Sequence, residues 1–314
     1  MRPEALVVSV SHEEDIDGLA SASVLIRSVI VDRIFLTNYH VDKWRYVSRE
    51  ISDLCERYGD LEIYITDLNL STEMINTLDN ALRRCSKHVY WIDHHKWSIE
   101  SIELTDSLGY FTRYGDKNFT ATENLARYLG VSEDPVVKLL SELSRDSDFG
   151  YMRHVLTQPL TNIIRYTVYV SRNKFLLKRL VKKFSRGVLW DQEINDVWVE
   201  ASRYIEKALS KALDSKRIIE DRKRILFIYS EPVLSSKIIL SSISDLDYDL
   251  AVVVYSNGSV TISRNRDDID CSLLARALGG GGHEHIAGAQ IKKSLAKDFN
   301  ESIKMILERI KDLL

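Results

Sequence analysis

The sequence predicts an α/β protein of two domains. An N-terminal parallel sheet with helices on both faces spans residues 1–186, a helical connector spans 187–222, and a smaller C-terminal α/β domain spans 223–314. Three observations predict this. Between residues 5 and 93 short apolar runs alternate with amphipathic stretches, the pattern of a parallel sheet with crossover helices. From Thr120 to about Lys216 strand signals fade and helical periodicity dominates. At Arg224 short apolar runs return. A chain of 314 residues also exceeds one ordinary core.

Taken in order, residues 5–11 read as a strand and 18–31 as a helix beginning at Gly18. Residues 33–38 are apolar again and 43–58 are helical. Strand 61–67, helix 72–86 and strand 88–93 complete the alternation. Val136, Val137, Leu139, Leu140 and Leu143 lie on one face of an amphipathic helix. Residues 153–186 read as one or two helices and 194–216 as another. In the C-terminal part Ile225–Tyr229 is a strand. Runs at 250–255 and 260–263 flank Asn257-Gly258, a hairpin turn signal. A short helix over 271–278, a strand near 289–291 and a final helix over 296–314 end the chain.

Composition excludes several classes. Hydrophobic residues at 45% and charged residues at 28% belong to a folded domain protein, not a disordered one. The net charge of −3 gives no overall attraction to nucleic acid or to a membrane. No apolar run approaches the roughly 20 residues that cross a bilayer. The stretch after Arg2 meets His12 and Glu13 too soon for a signal peptide, so no membrane partner is expected. Cys55, Cys85 and Cys271 are odd in number, widely spaced and without a CxxC pair. Neither a zinc ribbon nor a disulfide framework is expected, and a reducing cytoplasm is the simplest location.

Three apolar runs end abruptly on acids and imidazoles. Leu6–Val10 leads into His12, Asp15 and Asp17. Ile63–Thr66 leads into Asp67. Val89–Ile92 leads into Asp93, His94 and His95. In a parallel sheet the carboxyl ends of the strands share one crevice. A single Asp after a strand is ordinarily a helix N-cap, and taken one at a time each residue has such a plain reading. Their joint placement at one end of one sheet is what points to a metal centre. Imidazole and carboxylate without thiolate suit Mn²⁺, Zn²⁺ or Fe²⁺. So many carboxylates cannot all stay ionised together without cations. Two ions roughly 3.5–4 Å apart can share a bridging carboxylate in phosphoryl transfer, and Asp67, alone on its strand end, is the natural bridge. Asp146 and Asp148 are candidates for one further ligand.

Four segments, Ser11–Gly18, Ile65–Asn69, Trp91–Trp97 and Gly279–Gly288, resemble the DHH phosphoesterase family, the last its C-terminal DHHA1-type substrate-binding domain. That family includes RecJ-like exonucleases, nano-RNases, 3′-phosphoadenosine 5′-phosphate phosphatases and cyclic dinucleotide phosphodiesterases. The resemblance implies a metal-dependent phosphodiesterase with two divalent ions, Mn²⁺ first among them. It implies His12 and Asp15 on one ion, Asp17 and His95 on the other, and Asp67 bridging. Asp93 would orient an imidazole, His94 would sit near the scissile phosphate, and Asp146 would supply the fourth-motif ligand, with Asp148 as the alternative. The first motif departs from the usual spacing, because Asp15 and Asp17 follow His12 by three and five residues. Glu13 or Glu14 is an alternative ligand there.

Four consecutive glycines in a chain with only 13 point to a special backbone site. In the resembled family this loop binds a phosphate or nucleotide across a cleft from the metals. Gly280, Gly281, Gly282, His283 and the strand residue Arg264 are the substrate-binding candidates that follow. Residues 172–186 carry Arg172, Lys174, Lys178, Arg179, Lys182, Lys183 and Arg186 with no acid. The stretch reads as a solvated helix face or as a wall that tracks single-stranded nucleic acid. The expectation is therefore an exonuclease or nano-RNase acting on short single-stranded oligonucleotides. The alternatives are a 3′-phosphoadenosine 5′-phosphate phosphatase, a cyclic dinucleotide phosphodiesterase and a non-catalytic nucleic-acid scaffold. Family members are often dimers, and the sequence leaves monomer and homodimer open.

Overall fold

Side-chain alternation along the first strands decides the N-terminal architecture. The structure, a computed structural model, describes residues 5–314. It divides into two units, one ending at Trp198 and one spanning Val199–Leu314. The first unit builds a sheet from β1 (Leu6–His12), β2 (Arg33–Thr37), β3 (Asp60–Thr66), β4 (Ser86–Ile92) and β5 (Phe111–Tyr114). The strand order is β2-β1-β3-β4-β5 and every pair is parallel. The intervening helices are α1 (Ile16–Ser28), α2 (Val41–Tyr58), α3 (Thr72–Ala81) and α4 (Ile99–Leu108). After β5 come α5 (Ala121–Tyr128), α6 (Pro135–Asp148), α7 (Thr157–Tyr166), a π-helical turn (Thr167–Ser171), α8 (Lys174–Phe184) and α9 (Gln192–Asp214).

Successive strand residues point to opposite faces, so each strand feeds two cores. Val8, Val10, Ile63, Ile65, Val89 and Trp91 pack with α2 and α3. Tyr64 and Ile92 face the other way, into a core shared with α1 and with α5 to α8. Both faces are therefore covered, as expected of a parallel sheet. Helix α1 is enclosed on all sides, with every residue from Ile16 to Leu25 buried. Its Gly, Ala and Ser content lets it lie close to the strands. Ser21 and Ser11 both hydrogen-bond the Thr66 hydroxyl, at 2.8 and 2.7 Å, in a buried hydroxyl bridge between helix and sheet.

The second unit begins within α9, inside the segment expected as a connector. It holds β6 (Arg217–Glu220), β7 (Arg224–Ser230), α10 (Ser236–Ser241), β8 (Leu250–Tyr255), β9 (Ser259–Arg264) and α11 (Cys271–Ala277). It ends with β10 (Gly281–Gly282), β11 (Ile286–Gln290), α12 (Lys293–Ala296) and α13 (Phe299–Ile310). The sheet order is β10-β11-β9-β8-β7-β6. Only β7 and β8 are parallel; the hairpin at Asn257-Gly258 joins antiparallel β8 and β9 as expected. One face of this sheet packs Phe227, Val252 and Ile262 against Leu274 of α11 and Ile303 and Ile306 of α13.

Several expectations are corrected. Helix α1 starts at Ile16, not Gly18, because Asp15 caps it by accepting from the Gly18 N–H at 3.0 Å. Helix α3 stops at Ala81 instead of running to residue 86, because Ser86 is drawn into pairing with Asp60 on β3. The 153–186 stretch, read as one or two helices, holds two, α7 and α8, separated by the π turn and by Arg172 at φ 53°. The reading against disulfides also fails, since Cys55 on α2 is bonded to Cys85, with Cα atoms 5.4 Å apart. Two cysteines 30 residues apart give no sign of this in sequence; the turn after α3 brings them together. The bond removes the cysteine argument for a reducing compartment. Among the described residues no helix is long and apolar enough to cross a membrane.

Candidate metal centre

The strand register lines up the site. Ser11 pairs with Thr66, and Thr66 with Ile92, so the residues that follow leave the sheet side by side at its carboxyl edge. Those residues are His12, Asp67 and Asp93. The β1–α1 turn adds Asp15 and Asp17, and the turn after β4 adds His94 and His95. Asp67 turns the chain with φ 56°, a left-handed conformation that costs a non-glycine residue on the order of 1 kcal/mol and that clusters at functional sites.

Distances define three overlapping groups, each with ligand atoms within 4.8 Å of one another: His12, Asp15 and Asp67; Asp17, His94 and Asp148; and Asp67, Asp93, His94 and His95. His12 Nδ1 lies 2.8 Å from Asp15 Oδ2 and 3.5 Å from Asp67 Oδ2. His94 Nε2 lies 3.6 Å from Asp67 Oδ1 and 3.9 Å from Asp17 Oδ2, and its Nδ1 is 3.7 Å from Asp148 Oδ2. His95 Nδ1 is 2.8 Å from Asp93 Oδ1, while the Trp97 indole donates to Asp93 Oδ2.

Asp17 is held from outside the group. Its Oδ2 accepts from the Ala121 N–H at 2.8 Å, and its Oδ1 accepts from the Thr122 N–H and from the Thr122 and Ser144 hydroxyls. These N–H groups form the first turn of α5, where a helix favours a carboxylate. The Thr120…Glu123 capping box that starts α5 is legible in sequence, but its aim at Asp17 is not. Sequence reading also missed Tyr39, whose ring stands 5.5 Å from that of His12.

The electrostatics record crowding. Burial and the nearby Asp15 and Asp17 raise the Asp67 carboxyl to about 7. Burial alone would lower His94, but Asp67, Asp17 and Asp148 raise it to about 10. His12 is likewise raised by Asp15 and Asp67 against its burial. Burial would raise Asp93, yet His95 and His94 hold it low. Three buried atoms, His12 Nε2, Asp67 Oδ2 and His94 Nε2, have no hydrogen-bond partner among the described residues. Buried polar atoms left unpaired are costly, and here all three belong to the overlapping groups. Divalent cations fit this donor set: they satisfy the orphaned atoms and offset the carboxylate charge.

Asp146 stands apart from these groups. Its carboxylate accepts from the Arg153 and His154 N–H groups, each at 2.9 Å, and from the Thr157 hydroxyl, tying down the loop after α6. Asp148 is the α6 acid that reaches His94. Glu13 is paired with Lys43, and Glu14 accepts from Asn38 and Tyr169, so both point elsewhere. Two outcomes follow. Asp146→Ala should lower stability by about 1–3 kcal/mol, the value of hydrogen bonds lost from a charged group, and leave Mn²⁺ affinity unchanged. Asp148→Ala should weaken Mn²⁺ binding about tenfold with little change in the melting temperature. Calorimetric titration beside thermal melting separates the two.

In the second unit the glycine run is a tight backbone contact. A Cβ at Gly280 would lie 2.0 Å from the Gly288 carbonyl oxygen, and one at Gly282 would lie 2.6 Å from Ala287 Cα. Gly281 and Gly282 pair with Gly288 and Ala287 as β10. The N–H groups of Gly280 and His283 donate to Ala275 and Ile286, so they are engaged within the fold. The His283 ring stacks on His285 at 5.7 Å. Arg264 donates from Nη1 to the carbonyls of Asp267 and Ile269, bracing the loop before α11. The basic stretch is also partly compensated: Arg179 pairs with Glu193, and Lys183 pairs with Asp191 and Glu193.

Comparison with known proteins yields one family model, the DHHA1 domain, over residues 232–312. No curated protein matches the chain. Solved structures do. The DHH domain of a member of a family of ribosomal proteins has a TM-score of 0.63 at 15% identity, over 97% of this chain and 87% of that one. An exopolyphosphatase-related protein from Bacteroides fragilis gives 0.56 at 12% identity, over 99% and 93%. The pGpG-specific phosphodiesterase PggH from Vibrio cholerae gives 0.54 at 11% identity, over 97% and 99%. At these identities the likeness is one of fold.

Proposed function

Since a DHHA1 domain here follows a domain of the DHH fold, we propose that this chain is a metal-dependent phosphodiesterase that hydrolyses short single-stranded oligonucleotides from an end. The observation that carries the reading is the set of three acid–imidazole groups linked through Asp67 and His94, with three orphaned buried atoms among them. The likeness in fold to a pGpG-specific phosphodiesterase supports a dinucleotide-sized phosphodiester as the reacting unit.

In this reading His12, Asp15 and Asp67 hold one divalent ion, and Asp67, Asp17, His94 and Asp148 hold the other, with Mn²⁺ the proposed metal. Such ions neutralise phosphate charge and lower the pKa of water for attack at phosphorus. The protein's own part is orientation. The α5 N-terminus fixes Asp17. Asp93 fixes the His95 ring through Nδ1, leaving Nε2 to face a phosphate oxygen. In this reading the roles of the two histidines are exchanged relative to the family expectation, because His94 is the imidazole that reaches Asp17 and Asp67.

The test is a Mn²⁺-dependent hydrolysis panel of short RNA, short DNA, 3′-phosphoadenosine 5′-phosphate and a cyclic dinucleotide. Stepwise release of mononucleotides from the short strands is expected. Turnover confined to the two small molecules would replace the proposed substrate class. Binding of oligonucleotide without turnover of anything would favour a scaffold.

A further inference from the structure

Outside the metal centre the first unit carries a cavity of about 490 Å³ that no step above uses. It runs along β2, the terminal strand of the sheet, between α2 and α8. Its lining includes Glu13, the residue after the proposed ligand His12, and a second hollow of about 260 Å³ shares Glu13, Lys43, Lys174 and Leu177 with it. The volume is that of a small-ligand site.

The lining has two parts. Ile34, Leu36 and Leu177 give an apolar floor. Above it Tyr46 is 48% exposed and Phe175 is 80% exposed, the latter the more open of these two aromatic rings on the wall. Arg33, Lys174 and Lys178 stand beside them, and none is in a salt bridge among the described residues. Lys174 Nζ lies 5.4 Å from the Tyr46 ring centroid. Three carboxylates share the wall. Glu13 is paired with Lys43, Asp42 lies in the first turn of α2, and the charge of Glu50 acts favourably on Lys178. Burial and the fields of Lys174, Lys182 and Arg33 outweigh Glu50, so the Lys178 ammonium is held below its ordinary pKa. A cation cluster that destabilises its own members is relieved by an anion.

Exposed aromatic faces beside cations outside any salt bridge are the elements by which proteins hold single-stranded nucleic acid, a base on the ring and a phosphate on the cationic groups. We infer that this cavity binds one nucleotide unit of a single strand, with its base against Phe175 or Tyr46 and its phosphate between Lys174, Lys178 and Arg33. The inference rests on the oligonucleotide reading above and names a second contact point for the strand, outside the metal centre.

Direct binding tests it separately from catalysis. The probe is a fluorescent phosphorothioate-linked DNA strand of about ten nucleotides, followed by anisotropy with the full chain and Mn²⁺. The variants are Lys174→Glu with Lys178→Glu, Phe175→Ala, and Lys207→Glu as a charge control on α9. All lie on exposed positions. The double variant should weaken binding at least about tenfold and flatten the salt dependence, Phe175→Ala should weaken it about tenfold, and Lys207→Glu should stay within about twofold. Equal weakening by the double variant and Lys207→Glu would reduce the effect to general charge and overturn the inference. So would unchanged affinity in every variant, which a peptide-binding groove would give. Selective weakening in a protein that hydrolyses nothing would keep the cavity and refute the hydrolase. Hydrolysis with indifferent variants would do the reverse.

Discussion

Asp67→Asn is expected to reduce Mn²⁺-dependent hydrolysis by about 10³-fold or more, and at the same time to stabilise the metal-free protein above pH 7. Both effects have one cause. Asp67 is the only carboxylate shared by the His12–Asp15 group and the group containing His94 and His95. An amide of the same shape keeps the turn but lacks the charge that two cations would share. Without cations that charge is a burden. Asp67 is buried with Asp15 and Asp17 near it, and its carboxyl is raised from 3.8 to about 7.

The sign follows from the direction of the shift. A raised carboxyl binds its proton more tightly folded than unfolded, so its contribution is full below about pH 4 and is lost as pH rises through about 7. His94, raised from 6.5 to about 10, loses its contribution in the same direction but over a higher window. Asp15 is lowered because His12 and the Gly18 N–H outweigh its burial, so its contribution is lost only on acidification. In a chelator the wild-type melting temperature should therefore fall between about pH 5 and pH 8. Asp67→Asn should flatten that fall, and added Mn²⁺ should abolish it in the wild type only. A variant that melts lower than wild type at about pH 8 without metal would contradict this account of the site.

Much of the site was legible because strand-end chemistry is local. Runs such as Val89–Ile92 announce a strand, and the acids and imidazoles after them need only the parallel order of β1, β3 and β4 to meet. What the sequence could not show depends on partners distant along the chain. Asp146 and Asp148 both lie near the end of α6, and their different fates come from where residues 153–157 fold back to meet one of them. The two histidines after Asp93 are adjacent in sequence, and only the turn decides which ring joins Asp17 and Asp67. Arg264 reads as a phosphate grip until the loop at 265–270 is in place and uses its guanidinium. The 172–186 stretch reads as seven uncompensated cations because its acids, Asp191 and Glu193, come after it.

Gly18→Ala should be strongly damaging, although it adds a single methyl group to a helix. Its Cβ would stand 2.2 Å from the His12 carbonyl oxygen and 2.7 Å from His12 Cβ. The nearest obstacle is backbone, which has no rotamer to yield. The favourable helix propensity of Ala, about 1 kcal/mol, is therefore outweighed. Either the first turn of α1 or the end of β1 must move by about 1 Å, in a core with Leu19 and Val10 fully buried. The expected cost is about 3 kcal/mol or more. The same movement separates His12 from Asp15 and Asp67, so a variant that still folds should lose about 10²-fold in activity. Gly281→Ala provides the contrast, since nothing lies within 4 Å of a Cβ there and its stability should match wild type within about 0.5 kcal/mol. Chemical denaturation of the two variants beside wild type measures the difference. Equal stability for Gly18→Ala would mean that β1 and α1 do not meet as closely as the site requires. The glycine after Asp17 is then read physically: it allows a strand end and a helix start to touch, and that touch brings His12 into reach of the acids around it.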